Sequence, residues 1–185
     1  MIVRLASIEP KHGRTLGSFE VVTIEATITG LDGPCEFVVR NRILFLRGGA
    51  EASPPVEHST PRASELPALE IESVSGEGAK LVVALTRDPS PLHWDEEAVR
   101  RLGLGERPIN PGSNNAAYVL QMVRGSIGDY GRIGAVRVRF LRRVHVGDHV
   151  LAGGRRQDDG TLAAWLERLT PDGSEVVLDA TLETV

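Results

Sequence analysis

The chain is poor in several residue types whose absence limits what it can be. Its 185 residues include one cysteine, Cys35, and two lysines, Lys11 and Lys80. A single cysteine excludes an internal disulfide and a cysteine-based zinc cluster. No run approaches the roughly 18 uninterrupted apolar residues of a membrane helix, and the opening residues lack the apolar stretch of a signal peptide. These absences predict a soluble, cytoplasmic protein without a membrane partner.

Neither sign of charge dominates. Lysine and arginine total 21 against 25 aspartates and glutamates, a formal net charge of −4, which gives no electrostatic reason to expect a nucleic-acid partner. Apolar residues make up 41% of the sequence before its 20 glycines are counted. That composition is typical of a packed globular protein.

The distribution of turn-forming residues divides the chain. Residues 19–29 and 36–47 are two β-branched runs on either side of a Gly-Leu-Asp-Gly-Pro turn, which predicts a β-hairpin. The following stretch is rich in proline and poor in aliphatic side chains, as in an extended linker. We therefore predict an N-terminal hairpin arm over 1–50, a linker over 51–65 and a folded domain over 66–185.

Inside that domain the pattern is mixed. Residues 75–85 fit a short helix or a buried strand, of which we favour the helix, and 95–102 have the charge order of a short helix. Residues 113–124 begin with a Ser or Asn able to cap a helix and have almost no polar face, which predicts a buried helix. Three strands are predicted, over 134–146, 162–169 and 175–184. The expected class is α+β, with an antiparallel sheet around one central helix.

The loop Thr86–Asp95 carries the strongest functional signal. Two prolines stiffen it and hold Asp88 and His93 five residues apart. Spacing alone fits a turn residue and a capping residue at least as well as a catalytic pair.

Three blocks in order resemble the MaoC-like family of (R)-specific enoyl-thioester hydratases and dehydratases. They are D-x-S-P-x-H, a glycine before the buried helix, and V-R-F-x-R-x-V-x-V-G-D; the resemblance covers about 75–185. It implies a hot-dog fold, Asp88 and His93 as the catalytic acid and base, and Gly112 as the backbone donor to the thioester carbonyl.

The resemblance also implies the chemistry. The reaction interconverts 3-hydroxyacyl and 2-enoyl thioesters, needs no cofactor, and uses an acyl thioester substrate carried on coenzyme A or on phosphopantetheine, the latter with an acyl carrier protein as partner. Two alternatives stay open. One is a non-catalytic subunit that binds a thioester or stabilises a partner; the other is a hot-dog enzyme acting on a polyketide-like intermediate.

The motif differs from the family pattern at two positions. Ser90 stands where asparagine is usual, as a candidate substrate contact with fewer hydrogen bonds, and Pro111 replaces the histidine that commonly precedes Gly112. Asn110 is either an amide contact to the substrate or an ordinary turn residue. Arg142 and Arg143 either bind the phosphates of the carrier or form a solvated strand face.

Two further expectations concern metals and assembly. His145 and His149 lie in a strand–turn context that gives their rings no common face, so we expect no metal site. The hairpin has no helix of its own. It resembles the final strands of a first hot-dog unit whose helix is missing, and is interpreted as a remnant of such a unit. We expect the chain to form a homodimer, with the apolar residues of the hairpin packed on the partner or on the same chain.

Overall fold

The computed structural model describes residues 2–13, 17–29, 36–46, 59–88 and 90–185. The chain divides into two compact units, Met1–Pro55 and Val56–Val185.

The first unit is a three-stranded antiparallel sheet in the order β1-β2-β3, formed by Ile2–Gly13, Gly17–Thr29 and Glu36–Leu46. β2 and β3 pair in one unbroken register from Phe19 with Leu46 to Thr29 with Glu36, which is the predicted hairpin pairing; its turn lies outside the described residues. β1 was not predicted, because Pro10 and Lys11 interrupt its apolar pattern.

One buried carboxylate in the central strand of this sheet pairs with an arginine from each of the two neighbouring strands. Glu25 of β2 is 6% exposed and pairs with Arg40 Nε of β3 at 2.7 Å and with Arg4 of β1. The hydrogen bonds from Arg40, then from Arg4, hold the pKa of Glu25 below its ordinary value.

The second unit contains a five-stranded antiparallel sheet in the order β4-β6-β7-β8-β5. Its strands are β4 (Leu69–Ile71), β5 (Ile133–Phe140), β6 (His149–Arg156), β7 (Leu162–Thr170) and β8 (Gly173–Thr184). One face of the sheet builds the core, from residues such as Leu166, Leu178 and Leu182, each 0% exposed.

Three helices accompany the sheet: α1 (Gly76–Thr86), α2 (Glu96–Arg101) and α3 (Gly112–Ile127). α3 packs Val119, Met122 and Val123 into the core of the sheet, so the predicted central helix and the sheet around it are confirmed. The helices expected over 75–85 and 95–102 are confirmed as α1 and α2. Ser75 and Asp95 cap their first turns by accepting backbone N–H groups.

All three predicted strands are present, and the first of them is shorter than expected. β7 and β8 match, but the strand expected over 134–146 ends at Phe140. There the N–H groups of Leu141 and Arg142 both donate to the Val177 carbonyl, and the chain leaves the ladder. β6 was missed because Gly153 and Gly154 lower its strand propensity.

Residues 59–66 are bound to the second unit's sheet. Ser59 pairs with Ser174 of β8, the Arg62 N–H donates to the Glu167 carboxylate of β7, and the N–H groups of 65 and 66 donate to Gly154 of β6. The expected linker over 51–65 therefore belongs in its last seven residues to the folded domain, and 51–58 lie outside the described residues. In the part of the chain that the structure describes, no helix has the length and apolarity to span a membrane.

Candidate active site

The end of α1 places Asp88. Arg87 ends the helix in the left-handed region, with φ 54° and ψ 39°, and the N–H of Asp88 donates back to the Val83 carbonyl at 3.0 Å. This is the geometry of a helix C-terminus that glycine usually occupies. It fixes the first residue of the loop against the helix.

Asp88 and His93 form a pair at the mouth of this loop. Oδ2 of Asp88 lies 3.3 Å from Nε2 of His93, with the two side chains 40% and 13% exposed. The other carboxylate oxygen, Oδ1, accepts the Ser90 N–H at 2.9 Å. The carboxylate is therefore oriented by backbone, and one of its oxygens is left to face the imidazole and solvent.

The tautomer of His93 follows from its second contact. Nδ1 lies 2.7 Å from the Ile109 carbonyl oxygen, which can only accept, so Nδ1 carries a hydrogen. In the neutral ring Nε2 is then an acceptor. A neutral His93 and an ionised Asp88 present two acceptors to one another, and either a shared proton or a water donating to both satisfies them.

A buried amide cluster supports the segment that carries Ile109. Asn110 is 1% exposed; its Nδ2 donates to Asn115 at 2.6 Å and its Oδ1 accepts from Asn114 at 2.9 Å. Its backbone N–H donates to the Val144 carbonyl at 2.7 Å. The structure thus uses the Asn110 amide to hold the chain, and not as the open substrate contact that the sequence suggested.

Tyr118 closes the same cluster one turn along α3. Asn114 Nδ2 also donates to its hydroxyl oxygen at 3.0 Å. Burial raises the pKa of Tyr118, and the hydrogen bond from Asn114 opposes that shift. The raised pKa keeps the phenol neutral, and its hydrogen bond to Asn114 makes it part of the amide cluster at the start of α3.

The start of α3 offers the backbone donor. Gly112 is the first helical residue, and Pro111 precedes it as an N-cap without a side-chain hydrogen bond, so neither Ser113 nor an asparagine caps this helix as expected. Among the described residues nothing accepts the Gly112 N–H. A Cβ at this position would lie 3.3 Å from Cε1 of Phe140. Gly112 is thus an open donor at the positive end of a helix, within about 11 Å of Ile109 along the chain.

A charged network under the 142–148 loop was not foreseen. Asp148 is 6% exposed and accepts from Arg107 at 2.6 Å and from the His145 N–H at 2.8 Å. Arg168 joins it to buried Glu175. This network holds the loop whose Val144 carbonyl binds Asn110, and its signal in the sequence was the Gly-Asp that ends the third motif block.

The two candidate phosphate-binding arginines lie on this loop. Arg142 Nε pairs with Glu175 at 3.2 Å, so its charge is largely committed to a buried carboxylate. Arg143 is exposed. Neither guanidinium is hydrogen-bonded or ion-paired to Asp88 or His93, and their role as phosphate contacts stays a prediction.

The site is therefore brought together from two of the three motif blocks. Asp88, Ser90 and His93 lie on one loop, and the Ile109 contact joins that loop to the segment entering α3. The Ser90 hydroxyl makes no hydrogen bond with another described residue. Elsewhere His145 bonds the Leu104 carbonyl and His149 bonds Glu70, and no group of three potential metal ligands occurs in the described ranges.

Comparison with known proteins relates this fold to solved structures. No family model and no curated protein matches the sequence. The peroxisomal multifunctional enzyme type 2 of Drosophila melanogaster aligns over 99% of this chain and 33% of its own, with TM-score 0.71 and 16% identity. A MaoC-like dehydratase from Phytophthora capsici aligns over 99% and 61%, with TM-score 0.70 and 17% identity.

A third similar structure is shorter than the present chain. The (R)-hydratase from A. caviae involved in PHA biosynthesis aligns over 71% of this chain and 98% of its own, with TM-score 0.53 and 20% identity. The present chain thus spans about a third of the first structure's length and about three fifths of the second's. The fold is the hot-dog fold, and its structural neighbours include hydratases and dehydratases of the MaoC type.

Proposed function

We propose that this protein is a hydro-lyase that interconverts 3-hydroxyacyl and 2-enoyl thioesters carried on coenzyme A or phosphopantetheine. The observation that carries the proposal is the position of the His93 ring: Nδ1 lies 2.7 Å from the Ile109 carbonyl oxygen and donates to it, so that in the neutral ring Nε2 is an acceptor 3.3 Å from Asp88 Oδ2. Two acceptors side by side can bind and deprotonate a water. The names of the structural neighbours point to the same reaction class.

In the hydration direction, the water held between Nε2 and Oδ2 loses a proton to the pair as its oxygen bonds to the β-carbon of the enoyl thioester. The double-bond electrons move toward the carbonyl, forming an enolate. Its oxygen accepts the Gly112 N–H at the positive end of α3. The α-carbon then takes a proton from the pair, which restores the resting state. Dehydration is the reverse sequence.

The framework around the pair explains why it stays in place. Asp88 is fixed by the end of α1 and the Ser90 N–H, and His93 is fixed by a carbonyl that the Asn110 cluster holds. Positioning of this kind lowers the entropy cost of bringing the reacting groups together.

A second candidate is a non-catalytic subunit that binds a thioester. It is favoured by Pro111, which occupies the position of the usual histidine and is buried as the N-cap of α3. With proline at this position, the site keeps the Gly112 N–H donor but lacks the polar side chain that the histidine would place beside it.

Two parallel incubations separate these candidates. The full chain is mixed with a 2-enoyl-CoA and, in a second reaction, with the matching 3-hydroxyacyl-CoA, and the thioesters are followed by mass spectrometry. An enzyme adds one water to the first and removes one from the second; a thioester that co-purifies with the protein unchanged identifies the binding subunit. Repeating the reactions with acyl-carrier thioesters tests for the acyl carrier protein as partner.

We also propose that the chain forms a homodimer. β1 carries four exposed apolar residues, each more than half exposed: Ile2, Val3, Leu5 and Ile8. Burying this apolar edge strand against a second copy of the chain would remove these side chains from water and so stabilise the dimer. Sedimentation of the full chain at micromolar concentration tests this, and a monomer there would exclude it.

A further inference from the structure

The face of the second unit's sheet that points away from α3 carries an unexplained concentration of positive charge. Side chains alternate between faces along a strand, and Val138 of β5 packs against the core. Arg137 and Arg139, on either side of it, therefore lie on the outer face and are exposed. Arg155 of β6 joins them there, and Arg62 reaches the same face from the bound segment 59–66.

The strand register places these arginines around a low floor. One row across the sheet runs Arg137, Thr181, Ala163 and Arg155. An arginine stands at each end of this row, and the two residues between them have small side chains. At about 4.8 Å per strand, the Cα atoms of the two arginines lie about 14 Å apart. The result is a cavity of about 730 Å³, which we call the arginine trough.

The next row closes the trough on one side. It runs Arg139, Asp179, Trp165 and Gly153, and a Cβ on Gly153 would lie 2.9 Å from the indole nitrogen of Trp165. The indole therefore lies down over the glycine. The Arg62 guanidinium covers its ring at 5.7 Å and pairs with Asp179 at 3.2 Å.

Three of the trough's four arginines make no ion pair with another described residue. Asp179 is the carboxylate among the cavity's lining residues, and it is paired with Arg62. Arg137, Arg139 and Arg155 have no ion pair with any residue in the described ranges. Arg137 and Arg139 stand on the same face about 7 Å apart, so their mutual repulsion favours an anion between them.

We propose that the arginine trough is a binding site for a small molecule that carries linked phosphate groups, as nucleotides do. Guanidinium groups match phosphate oxygens in bidentate geometry. The trough has three unpaired arginines, two of them about 7 Å apart and the third about 14 Å across the sheet from Arg137, and this spacing suits a ligand with more than one phosphate. A recessed floor suits a small ligand, and a net charge of −4 for the whole chain opposes wrapping by a nucleic acid. None of the residues of the proposed catalytic site lines the trough, so binding there can be tested separately from the reaction.

Titration calorimetry of the full chain with inorganic tripolyphosphate tests the proposal. We expect one ion per chain, and binding weakened about tenfold or more for each guanidinium hydrogen-bonded to phosphate that is removed. The double variant Arg137→Gln/Arg139→Gln and the single variant Arg155→Gln make those changes at exposed positions, and the thermal midpoint of each variant reports folding. Arg101→Gln, an exposed arginine of α2, is the matched control and should leave binding unchanged.

Competition identifies the source of the phosphates. Displacement of tripolyphosphate by ATP supports a nucleoside polyphosphate, and displacement by coenzyme A supports the nucleotide end of a thioester carrier. Binding should persist in Asp88→Asn, so failure of the catalytic proposal leaves this one intact. Absence of tripolyphosphate binding, equal weakening by Arg101→Gln, displacement by neither nucleotide, or stronger displacement by a short DNA duplex would each overturn it.

Discussion

Replacing Asn110 by alanine should destabilise the second unit measurably. The side chain is 1% exposed and makes two hydrogen bonds, to Asn115 and from Asn114. A buried partner left unsatisfied costs about 1–3 kcal/mol. Because Asn114 keeps its bond to Tyr118, only the Asn115 oxygen is fully orphaned, so we expect the free energy of unfolding to fall by about 2–3 kcal/mol.

Urea denaturation followed by tryptophan fluorescence measures this loss, since Trp94 and Trp165 both lie in the second unit. Ser113→Ala is the matched control: Ser113 is an exposed neighbour whose hydroxyl bonds no other described residue, and its loss should stay within about 0.5 kcal/mol. If Asn110→Ala falls in the same range, the amide cluster does not hold the helix start. Under the proposed function, Asn110→Ala should also lower kcat more than it raises KM, because it loosens the Ile109 carbonyl that orients His93.

Three further outcomes follow from particular residues. Arg87→Gly should raise the free energy of unfolding by about 1 kcal/mol in the same urea assay, because glycine adopts the left-handed conformation without the penalty of a side chain; an unchanged or lower value would remove the claim of strain. The lowered pKa of Glu25 means that its ion pairs stabilise the first unit fully above the ordinary value of 4.5 and are lost as pH falls through the lowered one, so Glu25→Gln should flatten the acid limb of the far-ultraviolet circular dichroism. In an ultraviolet titration, Tyr118 should ionise above pH 10, and a step that persists unchanged in Tyr118→Phe would refute that assignment.

The helices and the last two strands could be predicted because their signals are local. α3 shows its apolar residues in sequence, and β7 and β8 are bounded by turns. β6 could not be predicted, because its two glycines are explained only by their neighbours. A Cβ on Gly153 would meet Trp165, and one on Gly154 would lie 3.1 Å from Met122 of α3.

The candidate site divides in the same way. Asp88, His93 and Gly112 were predicted from the resemblance to the MaoC-like motif, since the spacing on the proline-stiffened loop alone did not separate a catalytic pair from a turn and a cap. The structure brings Asp88 and His93 to within 3.3 Å of each other, and the catalytic roles of all three residues stay predictions. The cluster around Asn110 was not found, since Asn114 and Asn115 looked like capping residues and their true partners depend on how α3 packs. The arginine trough needs the register of four strands, which no local pattern contains.

The most direct test of the proposed reaction is the steady-state hydration of a short 2-enoyl-CoA by the native chain and by Asp88→Asn. Asparagine keeps the shape of the side chain and cannot take a proton from water, so kcat should fall by about 10²- to 10⁴-fold. His93→Gln should fall comparably, and His149→Gln, which changes a histidine paired with exposed Glu70, should retain native turnover. Equal turnover by the native chain and Asp88→Asn would contradict the assignment of this pair as the catalytic acid and base.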